Sequence, residues 1–144
     1  MSEPKQAIVV RADLKKMLEK EGKLGVQIAH ASMKVFLDRA QVLNGKGTEI
    51  PELGATGDEW IGFPVTPLEK EWLLSGRFTK VVLKVNSEAE LLEVHEKAKA
   101  ASLLTAIVRD LGLTVFTEPT FTAVAIGPDD PEKLKPITGC LKLL

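Results

Sequence analysis

Four short runs constrain this chain most: AIVVRAD (7–13), KVVLKV (80–85), TAIVRD (105–110) and FTAVAIG (121–127). Each is dense in Val, Ile or Ala instead of strictly alternating, the pattern of strands covered on both faces. Helical patterns lie between and after them. Residues 23–43 carry Leu24, Ile28, Ala31 and Val35, flanked by Ala29, Met33, Phe36, Ala40 and Leu43, at three-and-four spacing, which predicts a long helix with a wide apolar face. TPLE (66–69) predicts a second helix, with Thr66 as cap, Pro67 in the first turn and Glu69 reaching back. Ser87 and Glu90 announce a third, and Asp130 with Pro131 a short fourth.

The order implies an α/β fold: a single three-layer domain, residues 1–144, in which a four-stranded mixed β-sheet has helices on both faces. At 144 residues and 44% hydrophobic, the chain is long enough to bury one core. Residues 44–65, rich in Gly, Pro and acids, show no sustained period and are expected to form an inserted surface loop, a lid or a contact between copies.

Several function classes are disfavoured. The formal net charge is -1, so no global basic field announces nucleic acid, and any RNA contact must come from a local patch. Tyrosine is absent and aromatics make up 5%, which argues against bases stacking on an aromatic sheet. Cys140 is the one cysteine, and the histidines are His30 and His95, so neither a disulfide nor a histidine-and-cysteine metal site is expected. No apolar run approaches the roughly 20 residues of a membrane span, and the first residues do not read as a signal peptide. A soluble, cytoplasmic protein without a metal or other cofactor is the expectation.

Two stretches can carry chemistry. In EGKLGVQIAHAS (21–32), Lys23 falls in the first helical turn, against the positive end of the helix dipole. With free backbone N–H groups it suits a phosphate or a developing oxyanion. Lys23, Gln27, His30, Lys34, Asp38 and Gln41 follow at spacings of four, three, four, four and three, forming one polar stripe that also suits a plain solvated face. In RDLGLTVFTEPTFTAVAIGP (109–128), Asp110 ends an apolar run, with Gly112, Thr114 and Thr120 beyond it. Asp110 can cap a turn, or with the threonines orient a water or hydroxyl nucleophile at a strand end.

IVVRADL, GKLGVQIAHAS, KVVLKVNSEAEL, DLGLT and the ending AIGPDDPEKLKPITGCLKLL together resemble the type 2 peptidyl-tRNA hydrolases of archaea and eukaryotes, over nearly the whole chain except residues 44–78. The resemblance implies a metal-independent hydrolase that cleaves the ester between a peptide and the 3′ ribose of tRNA, recycling the tRNA, and that is commonly a homodimer. It places the family's active-site lysine, aspartate and two threonines on Lys23, Asp110, Thr114 and Thr120. Arg11, Lys15, Lys16, Lys20, Lys23 and Lys34 would supply the basic patch for tRNA, with Gln27 and His30 along the same helix, and binding would weaken with salt. This chain departs from the family pattern at Leu113 and Val115, which stand where an arginine and a glutamine are usual, and at Pro119. Those changes leave two alternatives open: a non-catalytic module that binds RNA or protein, and an esterase for another acyl or aminoacyl ester.

Overall fold

The structure, a computed structural model, describes residues 3–45, 47–113 and 116–144. The four apolar runs form β1 (Lys5–Arg11), β4 (Lys80–Val85), β5 (Thr105–Asp110) and β6 (Thr120–Asp129). The main sheet is mixed, but it holds five strands where the sequence pattern implies four. Its order is β5-β6-β1-β4-β7, where β7 (Lys142–Leu143) pairs antiparallel with β4. Two residues carry no legible period, which is why the strand escapes a reading based on pattern. β1 and β4 are parallel, and β6 runs antiparallel to both β1 and β5.

Alternation along β1 divides the interior in two. Ala7 and Val9 face a core built with Leu91, Val94 and Ala98 of α4 (Glu88–Ala100) and Leu134 and Ile137 of α5 (Pro131–Thr138). Ile8 and Val10 face the other way. They meet Leu18 of α1 (Lys15–Leu18), Ala31, Val35 and Phe36 of α2 (Lys23–Leu37) and Trp72 of α3 (Pro67–Leu74). Residues 7–10 are fully buried, as a central strand covered on both faces must be.

The capping signals act as written. Thr66 Oγ1 accepts from Glu69 N at 3.2 Å while Glu69 Oε2 accepts from Thr66 N at 3.1 Å. Glu69 is buried, and the same Oε2 lies 2.8 Å from Arg39 Nη2. On α4, Ser87 Oγ accepts from Glu90 N, but Glu90 reaches one residue further back and accepts from Asn86 N at 2.7 Å.

The first helix is shorter than its apolar pattern. It ends at Leu37 in a tight turn, with Arg39 N donating to Phe36 O and Ala40 N to Leu37 O. The next residues form β2 (Gln41–Asn44), paired antiparallel with β3 (Glu59–Gly62). The segment expected to be an irregular loop therefore includes part of a hairpin. Val42 faces Ile61 and Leu43 faces Trp60 across it. A strand needs its partner, and this partner lies beyond a stretch too rich in Gly and Pro to show alternation.

His95 of α4 is half-buried, its Nδ1 3.1 Å from Thr105 Oγ1. The threonine hydroxyl donates to Ala125 O at 2.9 Å, so it accepts from His95, assigning the ring proton to Nδ1. Burial lowers the pKa of His95 below its ordinary 6.5, and the charge of Lys99 adds to this, while Glu96 opposes it. The unfolded chain therefore takes up the proton more readily. This contribution to stability is fully present above pH 6.5 and is lost as pH falls through the depressed folded value. His95→Asn, which keeps a donor but does not titrate, is expected to weaken the pH dependence of the urea midpoint between pH 7 and 5.

Candidate active site

The end of β5 and the start of β6 meet at one pair, Asp110 opposite Thr120. Beyond Asp110 the chain turns through Gly112, whose N–H donates to Asp110 Oδ1 at 2.9 Å. Gly112 has a φ of 78°, and a Cβ there would lie 2.6 Å from the carbonyl carbon of Glu118. Only glycine allows the two limbs of this loop to approach so closely. The other limb is tied by Thr120 Oγ1, which donates to Glu118 O at 2.9 Å.

A β-bulge next to this pair has a specific effect. Val108 opposes Ala123 but Arg109 opposes Phe121, so Thr122 is an extra residue on β6. Phe121 packs with the α4 side of the sheet, whereas Thr122 and Ala123 both face α2. Thr122 Oγ1 donates to Gln27 Oε1 at 2.6 Å, and Gln27 Nε2 donates to Asp110 Oδ2 at 3.0 Å. The Gln27 amide thus ties α2 to the ends of both strands. It is 1% exposed, and Thr122 is fully buried.

Lys23 is the first residue of α2. Before it, Glu21 and Gly22 are left-handed, with φ of 55° and 71°, and they separate α2 from the preceding short helical turns. That conformation accounts for the glycine in the EGK sequence: no atom lies within 4 Å of a Cβ built there, so backbone angle is what calls for it. Among the described residues the Lys23 ammonium has no ion-pair partner. Lys23, Val26, Gln27, His30, Asp110 and Leu113 line a cleft of about 360 Å³.

The other expected site residues are dispersed. Arg11 is held by Asp13 at 2.7 Å, Glu88 at 3.4 Å and the Phe121 carbonyl at 3.2 Å, and does not line the cleft. Lys15 and Lys34 pair with Glu19 and Asp38 at 3.8 and 2.6 Å, solvent-exposed contacts that bind their lysines weakly. Lys16 is exposed, as is Lys20. Thr114 lies outside the described residues. The six-residue polar stripe is not continuous, because Gln27 is buried and Gln41 belongs to β2. Thr122 was missed by sequence reasoning. Its place two residues after Thr120 was a signal, but the bulge that turns it toward Gln27 was not. Among the described residues no group of three or more His, Cys, Asp and Glu side chains is arranged to hold a metal.

Fold and cleft define an α/β protein with a carboxylate fixed at a strand end and an ammonium at a helix start, facing one cavity. A family model for "Peptidyl-tRNA hydrolase PTH2" matches residues 4–144, and the chain belongs to that family. A peptidyl-tRNA hydrolase of Methanopyrus kandleri is 44% identical over 140 residues, 97% of each chain. One from Methanocaldococcus jannaschii is 39% identical over 97% of this chain and 99% of its own, and one from Staphylothermus marinus 38% identical over 99% and 97%.

Two substitutions report on this arrangement. Gln27→Leu leaves a buried threonine hydroxyl without its partner and is expected to lower unfolding free energy by about 1–3 kcal/mol in urea titration. Gly112→Ala forces the two loop limbs apart and is expected to cost at least about 1 kcal/mol by the same measurement.

Proposed function

We propose that this protein hydrolyses the ester between the peptide and the 3′ ribose of peptidyl-tRNA, releasing peptide and reusable tRNA. The observation that carries the reading is the fixed carboxylate of Asp110 sharing a cleft with Lys23 at the start of α2. Among the described residues each Asp110 oxygen accepts one hydrogen bond, from Gln27 or from Gly112. An ionised carboxylate has about four acceptor sites, so two remain for a substrate or water. Asp110 in this role orients the attacking water and takes up its proton. Gln27 is a positioning residue, its amide committed to Asp110 and Thr122.

Attack of water oxygen on the ester carbonyl carbon places negative charge on the carbonyl oxygen. The Lys23 ammonium and the N–H groups that follow it in the first turn of α2 stabilise that charge, the Lys23 N–H itself being bonded to Lys20 O. Collapse of the intermediate breaks the bond to the ribose 3′ oxygen, which leaves with the proton that Asp110 took from the water, restoring the carboxylate. The Thr120 hydroxyl donates to a backbone carbonyl and not to Asp110, which favours water over Thr120 as nucleophile. Thr120 retains acceptor capacity to position that water, the part also proposed for Thr114. His30, exposed at the cleft wall, is proposed as a substrate contact.

The tRNA backbone is proposed to lie over the start of α2, where Lys16, Lys20 and Lys23 follow one another, with Lys15, Lys34 and Arg11 as outer members of the patch. Residues 1–144 are read as one domain, since β1 and β7, near its two ends, are strands of the same sheet. Action in the cytoplasm follows from a tRNA substrate. A homodimer belongs to the same reading, supported by the exposed cross-strand pair Val42 and Ile61, at 61% and 67%.

Incubation with N-acetyl-aminoacyl-tRNA and with free aminoacyl-tRNA tests the reaction. The expected result is cleavage of the blocked substrate only, with Lys23→Ala and Asp110→Asn each slower by about 100-fold or more. Undiminished cleavage by both variants would remove these residues from the mechanism. Binding of tRNA without cleavage would establish a binding module, a reading favoured by Leu113, 83% exposed, and by Val115, outside the described residues, where the resemblance puts an arginine and a glutamine.

A further inference from the structure

The cleft does not end at His30. His30 and Val108 also border a second cavity that continues along α2 past Met33 to Leu37. Met33 and Leu37 in turn border a third, of about 300 Å³, floored by Phe36, Phe63 and Trp72 and bounded by Phe78 and Lys80. Three depressions thus border α2: the first two follow one flank as a groove, and the third lies on the other flank, across the crest formed by Met33 and Leu37. Their character changes along the way: Lys23 and Asp110 mark the first, whereas the last is almost wholly apolar. Met33, Leu37 and Phe78 are 59%, 52% and 43% exposed, a cost in solvent contact that the fold itself does not require.

We infer that the peptidyl part of the substrate lies in this groove and crosses Met33 and Leu37 into the third depression, running from the ester at Lys23 and Asp110 toward Lys80. The inference rests on the ester-hydrolase reading and extends it to the acyl side. Polarity fixes the direction, because Lys16, Lys20 and Lys23 cluster where α2 begins and suit the phosphates, leaving the apolar end for the peptide. Length agrees as well. From Lys23 to Leu37, the 15 residues of α2, the helix rises about 21 Å, the span of about six residues of extended peptide. At the far end the Lys80 ammonium lies 4.6 Å from the Trp72 ring centroid and 5.1 Å from that of Phe78, and donates to Phe78 O at 3.0 Å. It has donors left for a peptide carbonyl.

The groove would therefore select for apolar residues within the last half-dozen of the nascent chain. The test compares three substrates on the same tRNA: N-acetyl-aminoacyl, an N-acetylated apolar hexapeptidyl, and an N-acetylated Gly/Ser hexapeptidyl ester. The unsubstituted protein is expected to show the highest kcat/KM on the apolar hexapeptidyl-tRNA. Met33→Glu and Leu37→Glu, at exposed positions that tolerate a helix-forming residue, should each lower that value about tenfold and leave N-acetyl-aminoacyl-tRNA unchanged. Equal rates for the two hexapeptidyl substrates, or equal effects of the variants on all three, overturn the inference. So does a shift of either variant from dimer to monomer in sedimentation with no change in substrate preference, which would make the face a contact between copies. Cleavage of none of the three by the unsubstituted protein would instead refute the reaction itself.

Discussion

A side-chain amide sealed from water must satisfy both its ends, and Gln27 does so by tying α2 to the ends of two paired strands, β5 and β6. Its N–H side holds Asp110 and its oxygen takes the proton of Thr122. Because an unpaired buried polar group costs about 1–3 kcal/mol, the spacing of α2 from the β5 and β6 ends has little freedom. That spacing determines where Asp110 presents its remaining acceptor sites relative to Lys23. The proposed catalytic geometry is thus held by a residue with almost no access to solvent, and the bulge at Thr122 is part of the same device.

Electrostatics here are local. Nineteen basic residues nearly balance twenty acidic ones, and many exposed lysines stand one helical turn from a carboxylate. Such pairs are screened by salt and contribute little to stability. What distinguishes Lys23 is its place: it has no ion-pair partner among the described residues and lines the cleft that also holds Asp110. A nearly neutral protein can recognise a polyanion in this manner through a few unpaired positions.

Much of the fold was legible because its signals are short-range. Thr66, Ser87 and Asp130 each accept from the first turn that follows them, as their spacing to Glu69, Glu90 and Glu132 implies. The four apolar runs became four strands for the same reason. What escaped depends on contacts distant in sequence. Val42 pairs with Ile61, Leu143 with Leu83, and Gln27 reaches across more than eighty positions to Asp110. The polar stripe misled because helical spacing tells which residues share a side, not which side is covered. Gln27 is polar and buried, and only its two partners reveal why. The sequence offers Lys23, Gln27 and Asp110 as candidates, but not the hydrogen bonds by which the Gln27 amide holds Asp110 in place.

The two left-handed residues at Glu21 and Gly22 have a wider consequence. Residues 15–37 are helical almost throughout, and an unbroken helix there would satisfy every amide of its middle internally. Reversing the backbone at two positions interrupts that ladder and starts α2 afresh at Lys23, which lines the cleft beside Asp110 at the end of β5. The proposed anion site is in this sense made by a defect. It needs no added loop or ligand, only a break in a helix at the one place where the broken end faces a carboxylate.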